Sequence, residues 1–410
     1  MSISKYKETA IGLIPEDWEV KKLGEIGAFS KGKGILKNDV VESGFPCVRY
    51  GEIYTTHNYI IKDFKSYINE TIANESQEII KGDILFAGSG ETIEDIGKCV
   101  AYMGEEKAYA GGDIIIFKPH TDFSETISYA LETDIARRQK RFMGQGNSIV
   151  HLYSSDLKKL KLPIPPLLEQ QKIAEILSEF DQAINTTKQI VAELKVRNKG
   201  LAQQLLSGKI RVNGFEKNIK DQFFVIEKFL NEVSKKNSKL EVKRILSVTN
   251  NRGFINQSEQ FGREVASADL TNYKIVKRNQ FAYNPSRINV GSVDLLKTFD
   301  EGVLSPMYVV FETNNKKLLP NFFHHHLKTY WFKGHIPMFI QGSVRDSLSF
   351  NGLCSMRFFI PSLKEQEAIT NILDKATEEL KQCQEKIQYL QLQKKGLMQQ
   401  LLTGKVRVKI

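Results

Sequence analysis

From Ile173 onward, seam residues recur at alternating steps of four and three: Ile173, Leu177, Phe180, Ile184, Thr187, Val191, Leu194, Asn198, Leu201 and Leu205. The same spacing returns at Ile369, Leu373, Ala376, Leu380, Cys383, Ile387, Leu390, Lys394, Leu397 and Leu401. This is a heptad pattern, which lays one narrow apolar stripe along a helix. No proline falls between Pro166 and Leu206 or between Pro361 and Leu402, and Gly208 and Gly404 stand where a C-cap glycine belongs. The spacing predicts two helices of about forty residues, each roughly 60 Å long. The stripe is narrower than a helix on a globular core needs, so the two seams are expected to pair with each other rather than each on its own domain. The chain path favours an antiparallel pair with an approximate two-fold axis. Asn198 and Lys394 interrupt the seams; they either fix the register at a cost in stability or lie at a frayed edge.

The two helical segments are copies. IPPLLEQQKIAEIL…KGLAQQLLSGKIRV at 164–212 matches IPSLKEQEAITNIL…KGLMQQLLTGKVRV at 360–408 without a gap, so that Glu169 falls on Glu365, Gly208 on Gly404 and Arg211 on Arg407. Preceding segments match more faintly. WEVKKL at Trp18–Leu23 answers LEVKRI at Leu240–Ile245, and IIKGDILFAGSG at 79–90 answers IVKRNQFAYNPS at 275–286 with a one-residue ambiguity. The segments before each copy read as mixed α/β. Asp113–Phe117 and Met307–Phe311 look like strands, Ser124–Arg141 and Pro320–Phe332 like helices, and FFVIEKFLNEVSKKNSKL like a short linking helix. Two domains of one fold, with divergent interiors, each precede a long helix.

Composition narrows the class. A chain of 410 residues with 41% hydrophobic and 26% charged residues is ordinary for a globular protein of two or more domains. The start, MSISKYKETAIGLIPEDW, has no apolar run behind a basic stretch, so neither signal peptide nor anchor is expected. Cys47, Cys99, Cys354 and Cys383 form no CxxC pair, which argues against a zinc site or disulfide framework and fits a reducing cytoplasm. The net charge of +10 suits a polyanionic partner.

With this order of parts the sequence resembles the specificity (S) subunits of type I restriction-modification enzymes. The IPxPPLxEQ-like openings at 164–170 and 360–366 and the GLxQQLL[ST]GKxRV closings at 200–212 and 396–408 carry the resemblance, with Ser362 and Lys364 departing in the second copy. It implies an α/β (mixed α+β) chain in which two target-recognition domains alternate with two helices of an antiparallel, pseudo-two-fold coiled coil. The boundaries expected are 1–160 for the first recognition domain and 161–212 for the central helix. The second recognition domain, with its linker helix, takes 213–357, and the C-terminal helix 358–410. The resemblance further implies double-stranded DNA, two methyltransferase (M) subunits and restriction-translocase (R) subunits as partners. S-adenosylmethionine, ATP and Mg2+ are then used by those partners, with no cofactor, metal or membrane contact expected in this chain. Specificity subunits of methyltransferase-only or fused systems share the architecture, and a coiled-coil scaffold with two protein-binding heads is the alternative from another class.

No catalytic residue is expected. Asn284-Pro285-Ser286-Arg287 begins like a base-methyltransferase motif but lacks its aromatic wall, and reads as a turn or a DNA-contact loop. Ala87-Gly88-Ser89-Gly90 is weak evidence for a cofactor loop. His324, His325 and His326 are adjacent on a helix and point in different directions, unlike ligands of one ion. DNA reading needs cations for phosphates and polar side chains for base edges. The first domain offers Arg137, Arg138, Lys140, Arg141, Gln145, Asn147, Ser148 and His151; the second offers Arg287, Asn289, Lys333, Gln341, Ser343 and Arg345. A solvated helix face is the plainer account of Arg137–Arg141.

Overall fold

The computed structural model describes residues 5–61, 63–90, 92, 96–120, 124–144, 150–215, 222–261, 269–340 and 347–410. Contacts group them into two compact units, 1–186 with 386–410 and 187–385. Each unit therefore takes in part of both long helices, across the boundaries expected from sequence.

In the first unit, β1 (Gly27–Lys31), β2 (Tyr59–Ile61), β3 (Ile84–Ala87), β4 (Cys99–Tyr102) and β5 (Ile114–Pro119) form a sheet in the order β1-β5-β3-β4-β2. Only β2 runs parallel to its neighbour, β4. The central strands read as unbroken apolar runs because both faces are covered. Ile84, Phe86, Ile115 and Phe117 enter one core, while Leu85, Ala87, Ile114 and Ile116 enter another. A second five-stranded sheet uses 40–41, 45–48, 66–68, 77–79 and 108–110. The expected helix at Ser124–Arg141 is two, α1 (Ser124–Ala130) and α2 (Asp134–Met143), because Thr133 is extended. Glu19–Lys22 then pairs with Lys161–Ile164, and the chain enters α3 (Leu167–Leu206).

In the second unit, β6 (Leu230–Glu232), β7 (Phe281–Tyr283), β8 (Val293–Leu295) and β9 (Val309–Thr313) form an antiparallel sheet in the order β6-β9-β7-β8. Helices α4 (Pro320–Leu327) and α5 (Tyr330–His335) follow, with Thr329 capping α5 by accepting from the Phe332 N–H. The last helix is α6 (Leu363–Leu401).

Two sequence expectations fail here. The segment read as a linking helix is strand, 3-10 turn and strand: Phe223–Val225 pairs with Arg357–Phe359, and β6 with β9. Its aromatic and β-branched residues suit sheet edges better than a helix. The likeness of Trp18–Leu23 to Leu240–Ile245 is not structural equivalence either, because the strand that pairs ahead of α6 is Phe223–Val225. The ambiguity at 79–90 resolves through a shared turn. Asp83 accepts the Ile80 N–H, as Gln280 accepts the Lys277 N–H.

Every predicted seam residue of α3 and α6 is buried or half-buried. The helix segments pack on the sheet domain and on each other. In the first unit Ile173 and Leu177 share a core with Met398, Leu401 and Leu402; in the second, Leu205 and Leu206 share one with Ile369 and Leu373. Pairing is antiparallel in each. Glu169 meets Arg407 and Asp181 meets Lys394 in the first; Asn198 meets Ala376 and Arg211 meets Glu365 in the second.

The two residues that interrupt the seams, Lys394 and Asn198, both have partners. Lys394, 2% exposed, places its ammonium 2.6 Å from Asp181 and 3.7 Å and 4.4 Å from the ring centroids of Tyr59 and Tyr129. Asn198 donates to the Ala376 carbonyl at 2.6 Å. The cap glycines Gly208 and Gly404 have φ of 70° and 72°, and a side chain there would strike Phe359 or Pro15.

Candidate nucleic-acid interface

The candidate cations of α2 separate into two sets. Lys140 is 2% exposed; its ammonium donates to the Gly97 carbonyl at 2.7 Å and to Glu132 at 3.1 Å. Arg137 is half-buried and donates to the other Glu132 oxygen through Nε at 3.2 Å and Nη2 at 3.0 Å. Burial pushes the Glu132 carboxyl up, but Lys140 and Arg137 outweigh it and hold the group below its usual range. This triad fastens α2 to the loop at Gly97, so Lys140 and Arg137 leave the set of surface contacts. Helical periodicity alone hides the distinction, because Lys140 follows Ala136 on the buried face.

Arg138 and Arg141 are exposed, as is His151, whose Nδ1 lies 3.1 Å from the Ser89 hydroxyl. Gln145, Asn147 and Ser148, and in the second unit Gln341, Ser343 and Arg345, lie outside the described residues. The glycine-rich Gly88-Ser89-Gly90 is used in pairing: Ser89–Gly90 pairs with Val150–His151, and the Gly88 carbonyl accepts from Leu152 N–H.

In the second unit Asn284-Pro285-Ser286-Arg287 is a turn. The Asn284 side chain accepts from Ser286 N–H, and its carbonyl accepts from Arg287 N–H. Arg287 and Asn289 are exposed on it. The turn ends at Gly291, φ 96°, where an added Cβ would lie 3.4 Å from the Lys333 ammonium. The structure thus brings Lys333 to the same turn as Arg287 and Asn289.

The three histidines go to three places. His324 Nε2 is 2.7 Å from Asp294, His325 Nε2 is 2.8 Å from Asp374, and His326 is buried against the rings of Phe322 and Phe358. The unit also holds a cavity of about 750 Å³ where α3 and α6 present the small residues Ala202 and Ala376.

Sequence reasoning missed two features. One is the pair Phe142 and Met338, apolar yet 86% and 74% exposed. The other is the task of the repeated Glu and Arg. Buried Glu169 accepts from Arg407, and buried Glu365 from Arg211, so each closing motif returns to the opening motif of the other copy. The matched alignment held that signal, since a buried carboxylate requires a partner.

Comparison with known proteins agrees with this architecture. A family profile for the type I restriction modification DNA specificity domain matches residues 15–196. The MjaX type I restriction enzyme specificity subunit predicted in Methanocaldococcus jannaschii is 28% identical over 98% of this chain and 97% of its own length. The EcoKI specificity subunit of Escherichia coli K12 is 23% identical over 76% of this chain and 71% of its own. A crystal structure of the type I restriction-modification S subunit from M. genitalium shares the fold, with a TM-score of 0.58 at 14% identity, covering 94% of this chain and 96% of that one.

Fold and sequence together define a class, the DNA-specificity proteins of restriction and modification. Within it, the chain belongs to the specificity (HsdS) subunits of type I restriction-modification systems. Such a subunit is itself non-catalytic and assembles with others, to which the cofactors belong. Among the described residues, no helix is long and apolar enough to cross a membrane.

Proposed function

We propose that each unit reads one half of a bipartite double-stranded DNA site, with residues 1–160 and 213–357 as the two reading domains. One observation carries this reading. In each unit a helix with threonine at its N-cap position stands ahead of the shared repeat, and the exposed polar groups on it and beside it differ between the two copies. Arg138, Arg141 and His151 stand out in the first; Arg287, Asn289 and Lys333 stand out in the second. Exposed guanidinium and ammonium groups neutralise phosphates, and short polar groups on turns reach base edges. Gln145, Asn147, Ser148, Gln341, Ser343 and Arg345 complete the proposed set from sequence.

In this reading two M subunits bring S-adenosylmethionine and R subunits bring ATP and Mg2+, in the cytoplasm. The test replaces residues 1–155 with the matching domain of another specificity subunit and sequences the methylated bases of the host genome. One half of the recognised sequence should change and the other should persist. A change in both halves at once overturns modular reading.

A further inference from the structure

The register that pairs Glu169 with Glu365 also pairs Thr133 with Thr329, Ala136 with Phe332 and Lys140 with Ile336. Both threonines are helix N-caps, and the two later pairs are buried in their units. Two residues further on, the same register pairs Phe142 with Met338. Both project into solvent, at 86% and 74% exposure. Single exposed apolar side chains are common on protein surfaces. The same register also matches exposed apolar residues on and just beyond the long helices, Val196 with Leu392 and Ile210 with Val406, but Phe142 and Met338 are the large matched pair that stands beside exposed candidate cations just ahead of each candidate reading segment.

The neighbours of Phe142 say what it faces. Arg138 and Arg141 lie four and one residues before it on α2, so all three share the exposed side of that helix. Neither arginine has an acidic partner among the described residues, whereas Arg137 and Lys140 are spent on Glu132. In the second unit, exposed Lys333 precedes Met338 by one short turn of chain. A cationic face with an apolar tip matches a duplex, in which phosphates flank a stack of flat apolar bases. Phe and Met are among the side chains that wedge between base steps and partly unstack them.

We propose that Phe142 and Met338 are wedge residues, each entering one base step in its half-site. This rests on the reading proposed above, that these faces meet DNA. Unstacking costs least at pyrimidine–purine steps, so each wedge adds sequence preference at a position without hydrogen-bond readout. The first unit's wedge is rigid and aromatic; the second's is flexible and tolerates more steps.

The experiment uses the full chain bound to its methyltransferase subunits and the cognate duplex found by methylome sequencing. 2-Aminopurine is placed at successive positions of each half-site, with the methylated adenines left unsubstituted. One step in each half should brighten several-fold on binding. Phe142→Ala should abolish the first signal alone and Met338→Ala the second alone, while Phe142→Leu retains most of it. Arg141→Ala should weaken binding yet leave the signal of the bound complex intact. If both signals survive the alanine variants, or if no step brightens in a complex that binds duplex, the wedge is overturned and DNA reading stands. Loss of methyltransferase subunits from Phe142→Ala on size exclusion would instead make Phe142 a protein contact, also overturning the wedge. Failure of the wild-type complex to bind duplex would remove the reading itself.

Discussion

Arg407 closes on Glu169 through Nε at 2.7 Å and Nη2 at 2.8 Å, and the same carboxylate accepts the Trp18 indole N–H at 2.9 Å. Glu169 has no exposed surface, so its charge depends on these donors. Removing one partner of a buried pair leaves the other uncompensated, at a cost of roughly 3 kcal/mol. Arg407→Ala should therefore lower the urea midpoint markedly, and Arg407→Lys should recover only part because one ammonium replaces a fork. Equal midpoints for wild type and Arg407→Ala would show that the pair contributes nothing.

Lys394 sits between two rings and Asp181, and Tyr129 donates to the same carboxylate at 2.7 Å. Lys394→Met keeps the length of the side chain and deletes the charge. A cycle with Asp181→Asn should give a coupling energy of about 1–3 kcal/mol in denaturant unfolding. Additive effects would mean that the two groups act independently.

The division of the α2 cations predicts two phenotypes. Arg138→Ala and Arg141→Ala should each reduce the salt dependence of duplex binding by about one unit without altering stability. Arg137→Ala and Lys140→Ala should lower the melting temperature, because Glu132 is left buried without its partners. Salt titrations alongside thermal unfolding separate the two; a reduced slope with unchanged melting for Lys140→Ala would contradict its burial.

Burial holds His326 neutral, with its pKa pushed down to about 3. In the unfolded chain the group titrates near about 6.5. A depressed folded pKa means that unfolding takes up a proton between these values, so this contribution is intact above about 6.5 and is lost progressively as pH falls toward 3. His326→Leu should flatten the pH dependence of unfolding by up to one proton across that window. The same slope in wild type and variant would assign the acid sensitivity to other groups.

The long helices should act as a ruler. Four residues added after Leu194, matched by four after Leu380 in its antiparallel partner, lengthen the pair by roughly 6 Å at nearly constant facing. At about 3.4 Å per base pair, the unspecified spacer of the methylated site should grow by one or two pairs, with both halves unchanged. An active variant with the original spacer would show that the helices do not set the separation. Insertion after Leu194 alone should disrupt assembly, since the arginine–glutamate pairs no longer align.

Periodicity made the helices legible. A forty-residue apolar stripe has one structural solution, and Leu167–Leu206 and Leu363–Leu401 follow it closely. The linking helix expected over 223–240 proved to be strand, 3-10 turn and strand, because aromatic and β-branched residues at short spacing fit helix and strand alike until a partner strand is known. The candidate face was half legible. Sequence shows which residues carry charge, but whether Lys140 faces water or Glu132 depends on where α2 docks. Exposure of Phe142 and Met338 is likewise a tertiary property, since the same residues on another face would be core.

The composition of the first unit bears on the order of events at the ribosome. Met398, Leu401 and Leu402 fill its core and Arg407 neutralises Glu169, yet these residues are made after the whole of the second unit. During synthesis residues 1–186 therefore wait with a buried-type carboxylate and an open apolar face until 386–410 emerge. Chains cut short before Met398 leave that face uncovered, which marks them for the chaperones and proteases that bind exposed apolar surface. Completion of the chain and closure of its first folded unit become a single event.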